Sequence, residues 1–335
     1  MPAFVGSNPA APTSFPLIFG RRLGRQLGLE SCRPNQPRDF CRILCETGGM
    51  MTIDDARPTG TAPDWTIPQD WQHFTAAEHA TWDRLFARQM AMLPGRVTPE
   101  FLQGVAMLGM DRPGIPDFAH LSERLFAATG WQVVAVPSLV PDAVFFDHLA
   151  NRRFVAGNFI RDAASLDYLQ EPDVFHDVFG HVPLLAHPVF ADYMQAYGEG
   201  GQRATRLGVT GRLARLYWHT VEFGLVESSE GLRLYGAGIV SSFGESRFAL
   251  DDPSPHRLGF DMARIMRTRY RIDDFQQNYF VIDSFDDLLR QTLTTDFGPL
   301  YAALADQPDI EVGAIVPGDR VFTHGTQAYA RGKSS

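Results

Sequence analysis

Cysteine, lysine and long apolar runs are what this chain has least of. Its three cysteines, Cys32, Cys41 and Cys45, all stand within the first fifty of 335 residues. None is left for a disulfide scaffold or a thiol nucleophile further on, and their spacing lacks the second pair of a zinc site. Such cysteine usage fits a reducing compartment, so a cytoplasmic protein is expected. Among the 30 Lys and Arg residues the only lysine is Lys333, which reads as codon bias. No apolar run approaches the roughly 18 to 20 residues that cross a bilayer, so no membrane span is expected. With a formal charge of −9, the chain lacks the clustered positive charge that phosphate backbones require, which argues against nucleic acid as a partner.

What is present is the composition of a folded protein, 44% hydrophobic and 21% charged. Residues 1–65 stand apart, with Pro, Gly, Ser and Arg scattered without helical or strand period. Over residues 1–50, six Arg stand against three acids. We read 1–65 as an irregular extension with little stable structure, and Met51 or a neighbour as the native start. From Phe74 onward the pattern is helical. Thr75 with Glu78 makes a capping box, followed by Trp82, Leu85, Phe86, Met90 and Leu93 at helix spacing. Further helices are expected after Thr98 and Pro99, over about 117–129 with Gly130 ending it, and over 141–150, 173–182, 188–198, 210–226, 259–267 and 284–304. Short strands are expected at 131–136, 232–234 and 279–282. The expected fold class is mainly α (α+β): one domain over about 66–305 with short β elements, then a tail over 306–335.

The stretch EPDVFHDVFGHVPLL, residues 171–185, brings His176 and His181 into an apolar setting where neutral imidazoles make natural metal ligands. Five residues apart on an ideal helix, the two rings diverge by about 140°, so joint ligation requires a bend or helix end near His181. Gly180 and Pro183 supply that possibility. A third ligand is offered by Glu222 in LYWHTVEFGL, four residues after Trp218 and on the same side of a regular helix. Two imidazoles and one carboxylate leave open positions for dioxygen on iron(II). On zinc the same set would hold a hydrolytic water, so a zinc hydrolase remains the competing class.

Three long blocks in order, FIRDAASLDYLQEPDVFHDVFGHVPLL, ARLYWHTVEFGL and YGAGIVSSFGES, sit in a segment from about Trp65 to Leu304 that resembles the pterin-dependent aromatic amino acid hydroxylases, and the short bacterial phenylalanine hydroxylases most. The resemblance implies a helical basket with a deep cleft, and iron held by His176, His181 and Glu222. It implies a tetrahydropterin stacked on Phe145, with Val140 and Asp142 on its hydrogen-bonding loop and Asp177 approaching it through water. It implies that Arg161 clamps the carboxylate of the amino-acid substrate, that Gly238 and Ser241 lie beside its polar end, and that Trp218 lines its ring. Leu169 and Gln170 depart from the polar pair of animal members.

The implied reaction is hydroxylation of L-phenylalanine to L-tyrosine. One atom of dioxygen enters the product and the other leaves as water, with the reduced pterin as electron donor. Tryptophan or tyrosine hydroxylation is the alternative within the family. With too few residues before the domain for a regulatory module, and no heptads after it, an unregulated monomer is expected.

Overall fold

Local signals in the sequence account for most of the helix boundaries. Our computed structural model describes residues 57–167, 172–272 and 274–333. The expectations for residues 1–56 and for Leu169 and Gln170 lie outside the described residues. The helices are α1 (Ala76–Met92), α2 (Pro99–Leu108), α3 (Phe118–Thr129), α4 (Asp142–Ala150), α5 (Val182–Leu185), α6 (Pro188–Leu207), α7 (Thr210–Tyr217), α8 (Ala237–Val240), α9 (Phe243–Asp251), α10 (Met262–Arg267), α11 (Phe285–Thr294), α12 (Phe297–Leu304) and α13 (Ala328–Lys333). Two π-helical turns interrupt them, Phe175–His181 ahead of α5 and Trp218–Glu222 after α7.

The reciprocal Thr75–Glu78 capping box opens α1, and Gly130, at φ 77°, ends α3 in the left-handed conformation that glycine adopts without cost. The expected helix 188–198 runs on to Leu207. The expected 210–226 is cut at Glu222, and 284–304 is divided between α11 and α12 around Thr295 and Asp296.

Strands β1 (Gln132–Val136) and β2 (Arg153–Gly157) form a parallel pair linked through α4. A second sheet has the order β4-β3-β6-β5-β7, made of β3 (Gly224–Ser228), β4 (Gly231–Leu234), β5 (His256–Gly259), β6 (Asn278–Ile282) and β7 (Val321–Thr323). Its middle strands are parallel, and β4 and β7 are antiparallel edges. The sequence reading missed β2, β5 and β7, and β3 as well, whose first residues fall in the expected helix 210–226. β6 is buried on every residue, so it offers a continuous apolar run rather than an alternation.

The body of the protein is a helical basket around one apolar core, with Trp82, Leu125, Phe101, Phe175, Phe179 and Tyr197 almost fully buried. Trp65 is buried in that core, and the Asp64 carbonyl meets His148 Nε2 at 2.7 Å, so packing begins ahead of residue 66. Packing also continues past residue 305. β7 pairs with β5, and Asp319 makes a nearly buried ion pair with Arg264 at 2.9 Å. Among the described residues no helix is long and apolar enough to cross a membrane.

Candidate metal centre

His176 and His181 flank one π-helical turn, and that turn answers the spacing problem. Hydrogen bonding in a π-turn runs from residue i to i+5, so residues five apart lie over one another instead of diverging. The two imidazoles meet edge to face with centroids 5.2 Å apart. Gly180 contributes by close approach. A Cβ there would stand 2.9 Å from the Ala237 carbonyl, so α8 can lie against the turn only because that atom is missing.

The second π-turn aims the third donor. The Phe223 N–H bonds the Trp218 carbonyl five residues back, at 2.9 Å, and ends the helix there. The wider turn replaces the regular helix on which a shared face of Trp218 and Glu222 was expected. Trp218 packs on Phe223, at 4.8 Å, and on Tyr270, at 4.3 Å, while Glu222 turns toward the histidines. Its Oε2 lies 3.6 Å from His176 Nε2 and its Oε1 3.3 Å from His181 Nε2. Ligand atoms from the three residues all lie within 4.8 Å of one another, the one such cluster of three among the described residues.

Electrostatics prepares the set for a cation. Burial pushes the His176 imidazole down to about 4. Burial alone would raise Glu222, but the facing His181 and His176 and a bond from the Gly238 backbone outweigh it and hold the carboxyl below its usual range. The tautomer of His176 follows from its other nitrogen. Ser241 Oγ gives its only proton to the Ala237 carbonyl at 2.7 Å, so across the 3.0 Å contact it accepts from His176 Nδ1, and the Nε2 lone pair faces inward. Two imidazoles, one carboxylate and donor spacings near the ~3 Å of adjacent ligands on a metal with bonds of ~2.1 Å fit an iron(II) ion.

The remaining expected residues fall around this cluster. Arg161 Nε and Nη2 both donate to Asp173, each at 2.8 Å, and Nη1 to the Leu166 carbonyl at 3.2 Å. Asp173 is fully buried and also accepts from the His176 backbone N–H at 3.0 Å, joining the arginine to the first histidine. Two guanidinium N–H groups remain, one on each terminal nitrogen, the fork that a carboxylate accepts. Phe145 is buried on α4, edge-on to Tyr217, whose ring lies parallel to His181 at 6.3 Å. Val140 and Asp142 sit at the start of the same helix. The Asp177 carboxylate accepts from Gly157 N–H at 2.8 Å, and its burial raises it to about 7.

Two expected substrate neighbours are placed against the metal cluster itself: Ser241 on His176, and Gly238 against Phe223 and the Glu222 backbone. The glycines of YGAGIVSS are there for close approach. A Cβ on Gly236 would meet the Glu222 carbonyl at 2.4 Å and the Gly224 nitrogen at 2.6 Å. Gly236→Ala is therefore expected to displace Glu222 and weaken iron binding at least about tenfold, the scale of losing support behind a ligand. Gly200→Ala, where nearby space is open, should leave it unchanged. Iron titration of the two variants checks this.

Sequence reasoning passed over Asp173, Tyr217, Tyr270 and Gln276. Asp173 had a readable signal, an aspartate three residues before His176, which is the spacing of an N-cap. Gln276 had none, since Trp218 Nε1 reaches its Oε1, at 3.0 Å, across 58 residues. Glu245 lies next to this pair, accepting from Gln276 N–H at 3.2 Å and from the Tyr279 hydroxyl. Burial raises it to about 7, against an unfolded value near 4.5. A raised carboxyl stabilises the fold fully below about pH 4.5 and loses that contribution as pH rises through about 7. Glu245→Gln should remove a pH-dependent stability difference on the order of 3 kcal/mol between those limits. Thermal melts of both proteins from pH 4.5 to 8 test it, and parallel curves would count against the assignment.

Fold and site together define a class, a mainly helical basket with a largely buried cluster of two histidines and one carboxylate that could hold a metal ion. Residues 66–297 match the biopterin-dependent aromatic amino acid hydroxylase family. The chain belongs to that family. It is 64% identical over 278 residues to the phenylalanine-4-hydroxylase of Caulobacter vibrioides, covering 83% of this chain and 94% of the relative. The Chromobacterium violaceum phenylalanine hydroxylase structure with iron(III) and 7,8-dihydrobiopterin superposes with a TM-score of 0.76 at 56% identity, covering 79% of this chain and 95% of that one. Its iron- and phenylalanine-bound structure gives 0.74 at 55% identity, covering 78% and 95%. Membership of this family, rather than the donor set, decides for iron against zinc.

Proposed function

We propose that this chain hydroxylates L-phenylalanine to L-tyrosine, with ferrous iron on His176, His181 and Glu222, a tetrahydropterin and dioxygen. The observation that carries the reading is the buried cluster of those three residues in a chain of this family. Bound together, the iron and the reduced pterin supply the activation of dioxygen and the two electrons that reduce its second atom to water.

The chain's own residues position the reactants and exclude water. The two free N–H groups of Arg161 hold the substrate carboxylate, and Asp173 fixes the plane of the guanidinium. Trp218, braced by Tyr270 and Gln276, forms the wall against the substrate ring. Gly238 and Ser241 close the polar end while supporting Glu222 and His176. Phe145 offers a face for the pterin, with Val140, Asp142 and Asp177 as its neighbours. Apolar walls keep the centre dry, which strengthens each of these polar contacts.

The same reading makes the protein a cytoplasmic monomer, with a catalytic domain built on 66–305 onto which Asp64, Trp65 and the residues after 305 also pack. The monomer is supported by the lack of heptads after residue 305. Product analysis with phenylalanine, tryptophan and tyrosine, each under reduced pterin and anaerobically loaded iron, tests the function. Tyrosine carrying one atom of labelled dioxygen is the expected product from phenylalanine. Turnover without pterin, or much faster hydroxylation of tryptophan, would overturn it.

A further inference from the structure

We propose that α13 is a strap that positions the Trp218 wall, acting through Tyr329 and Lys333 on the loop around Asp274. The inference rests on the reading of Trp218 as the wall of the substrate pocket, and it gives a role to the chain's single lysine. Lys333 Nζ and the Tyr329 hydroxyl both donate to Asp274 Oδ1, each at 2.7 Å, and the ammonium lies 4.6 Å above the Tyr329 ring. Asp274 is nearly buried, whereas Lys333 is half exposed, so the strap covers the carboxylate from outside. The next residue, Phe275, stacks on Phe248 at 4.7 Å and lies 5.4 Å from Tyr329.

The residue after that carries the connection inward. Gln276 Nε2 donates to the Arg271 carbonyl at 2.7 Å and to the Asp274 carbonyl at 3.2 Å. With its amide nitrogen held by those two carbonyls, its oxygen is aimed at Trp218 Nε1. Tyr270, at the start of the same loop, stacks on the Trp218 ring at 18°. Both supports of the tryptophan thus come from one short loop, and Asp274 is where α13 grips it. Tyr329 and Lys333 touch neither ligand nor pocket, so they act as positioning residues.

The test uses full-length Tyr329→Phe, Lys333→Met and the double variant, with Lys333→Arg as the conservative control. Hydrogen exchange over residues 268–277, measured without iron or substrate, should quicken about three- to tenfold in the double variant, the range of one or two lost hydrogen bonds, while α1 and α6 stay protected. In the iron- and pterin-supplied enzyme, KM for phenylalanine should rise about three- to tenfold with kcat nearly unchanged, and Lys333→Arg should retain the wild-type KM. Unchanged exchange in this loop, or exchange quickened throughout the protein, overturns the strap. Trp218→Phe separates the two readings. If it raises KM while the strap variants do not, the strap is wrong and the wall stands. If Trp218→Phe leaves KM alone, the wall reading has failed, and loop exchange still reports whether α13 grips.

Discussion

Glu222→Ala is expected to retain almost no iron and to lose at least about a thousandfold in hydroxylation, with the fold of the metal-free protein preserved. Replacing a group that merely supports a ligand typically costs about 10- to 100-fold in metal affinity, so removing one of three donors costs more. The fold should survive because Glu222 faces two imidazoles rather than an obligatory cationic partner. His176→Ala and His181→Ala should behave alike. Ser241→Ala, which frees only the far nitrogen of His176, should fall in the 10- to 100-fold range. The measurement is iron per chain after anaerobic loading, together with the melting shift that iron produces. A ligand present at 100 times its Kd stabilises by about 2.7 kcal/mol, and the Glu222 variant should show none of it. Wild-type iron content in that variant would remove the triad.

The second large effect concerns Arg161. A desolvated carboxylate that loses its charged partner typically costs about 2 to 5 kcal/mol, so Arg161→Ala should lower kcat/KM for phenylalanine on the order of 30-fold to several thousandfold. The ion pair with Asp173 adds a second consequence. With the guanidinium gone, a fully buried carboxylate keeps only backbone donors, and breaking such a pair typically destabilises by about 3 to 5 kcal/mol. Because Asp173 also holds the His176 backbone, iron binding should weaken in Arg161→Ala as well. Arg161→Lys separates the effects. It keeps a charge beside Asp173, and thus most of the stability, but loses the flat fork that grips two carboxylates at once. Its kcat/KM should therefore fall with its melting temperature nearly unchanged. An Arg161→Ala enzyme with wild-type kcat/KM would withdraw the clamp.

Other residues respond to this arrangement in graded ways. Gly236 carries no chemistry, yet its missing Cβ lets the Glu222 carbonyl approach. Glu245 lies outside the metal cluster and is expected to give stability a pH dependence, through the same loop that holds Trp218. The effect of a change at Gly236 is not additive with one at Glu222, because Gly236 lies against the Glu222 backbone.

Read alone, the sequence determined the mainly helical class, the α1 capping box, the glycine stop of α3 and the candidate triad. Each of these is written in residues close together, or in composition, where propensity and spacing decide the outcome. The spacing of five between His176 and His181 showed that a regular helix could not serve, but it left the bend open. Only the packed protein decided on two π-turns, because the cost of each widened turn is set against contacts made by α8 and the second sheet. Tertiary structure also stacked Trp218 on Tyr270, set Ser241 behind His176, and placed Asp173 between Arg161 and the first ligand. It gathered the residues after 305 onto the body, although their sequence has no heptads and reads as a tail. Those contacts join residues tens of positions apart. No local period encodes them, and they form only when burial brings the partners together.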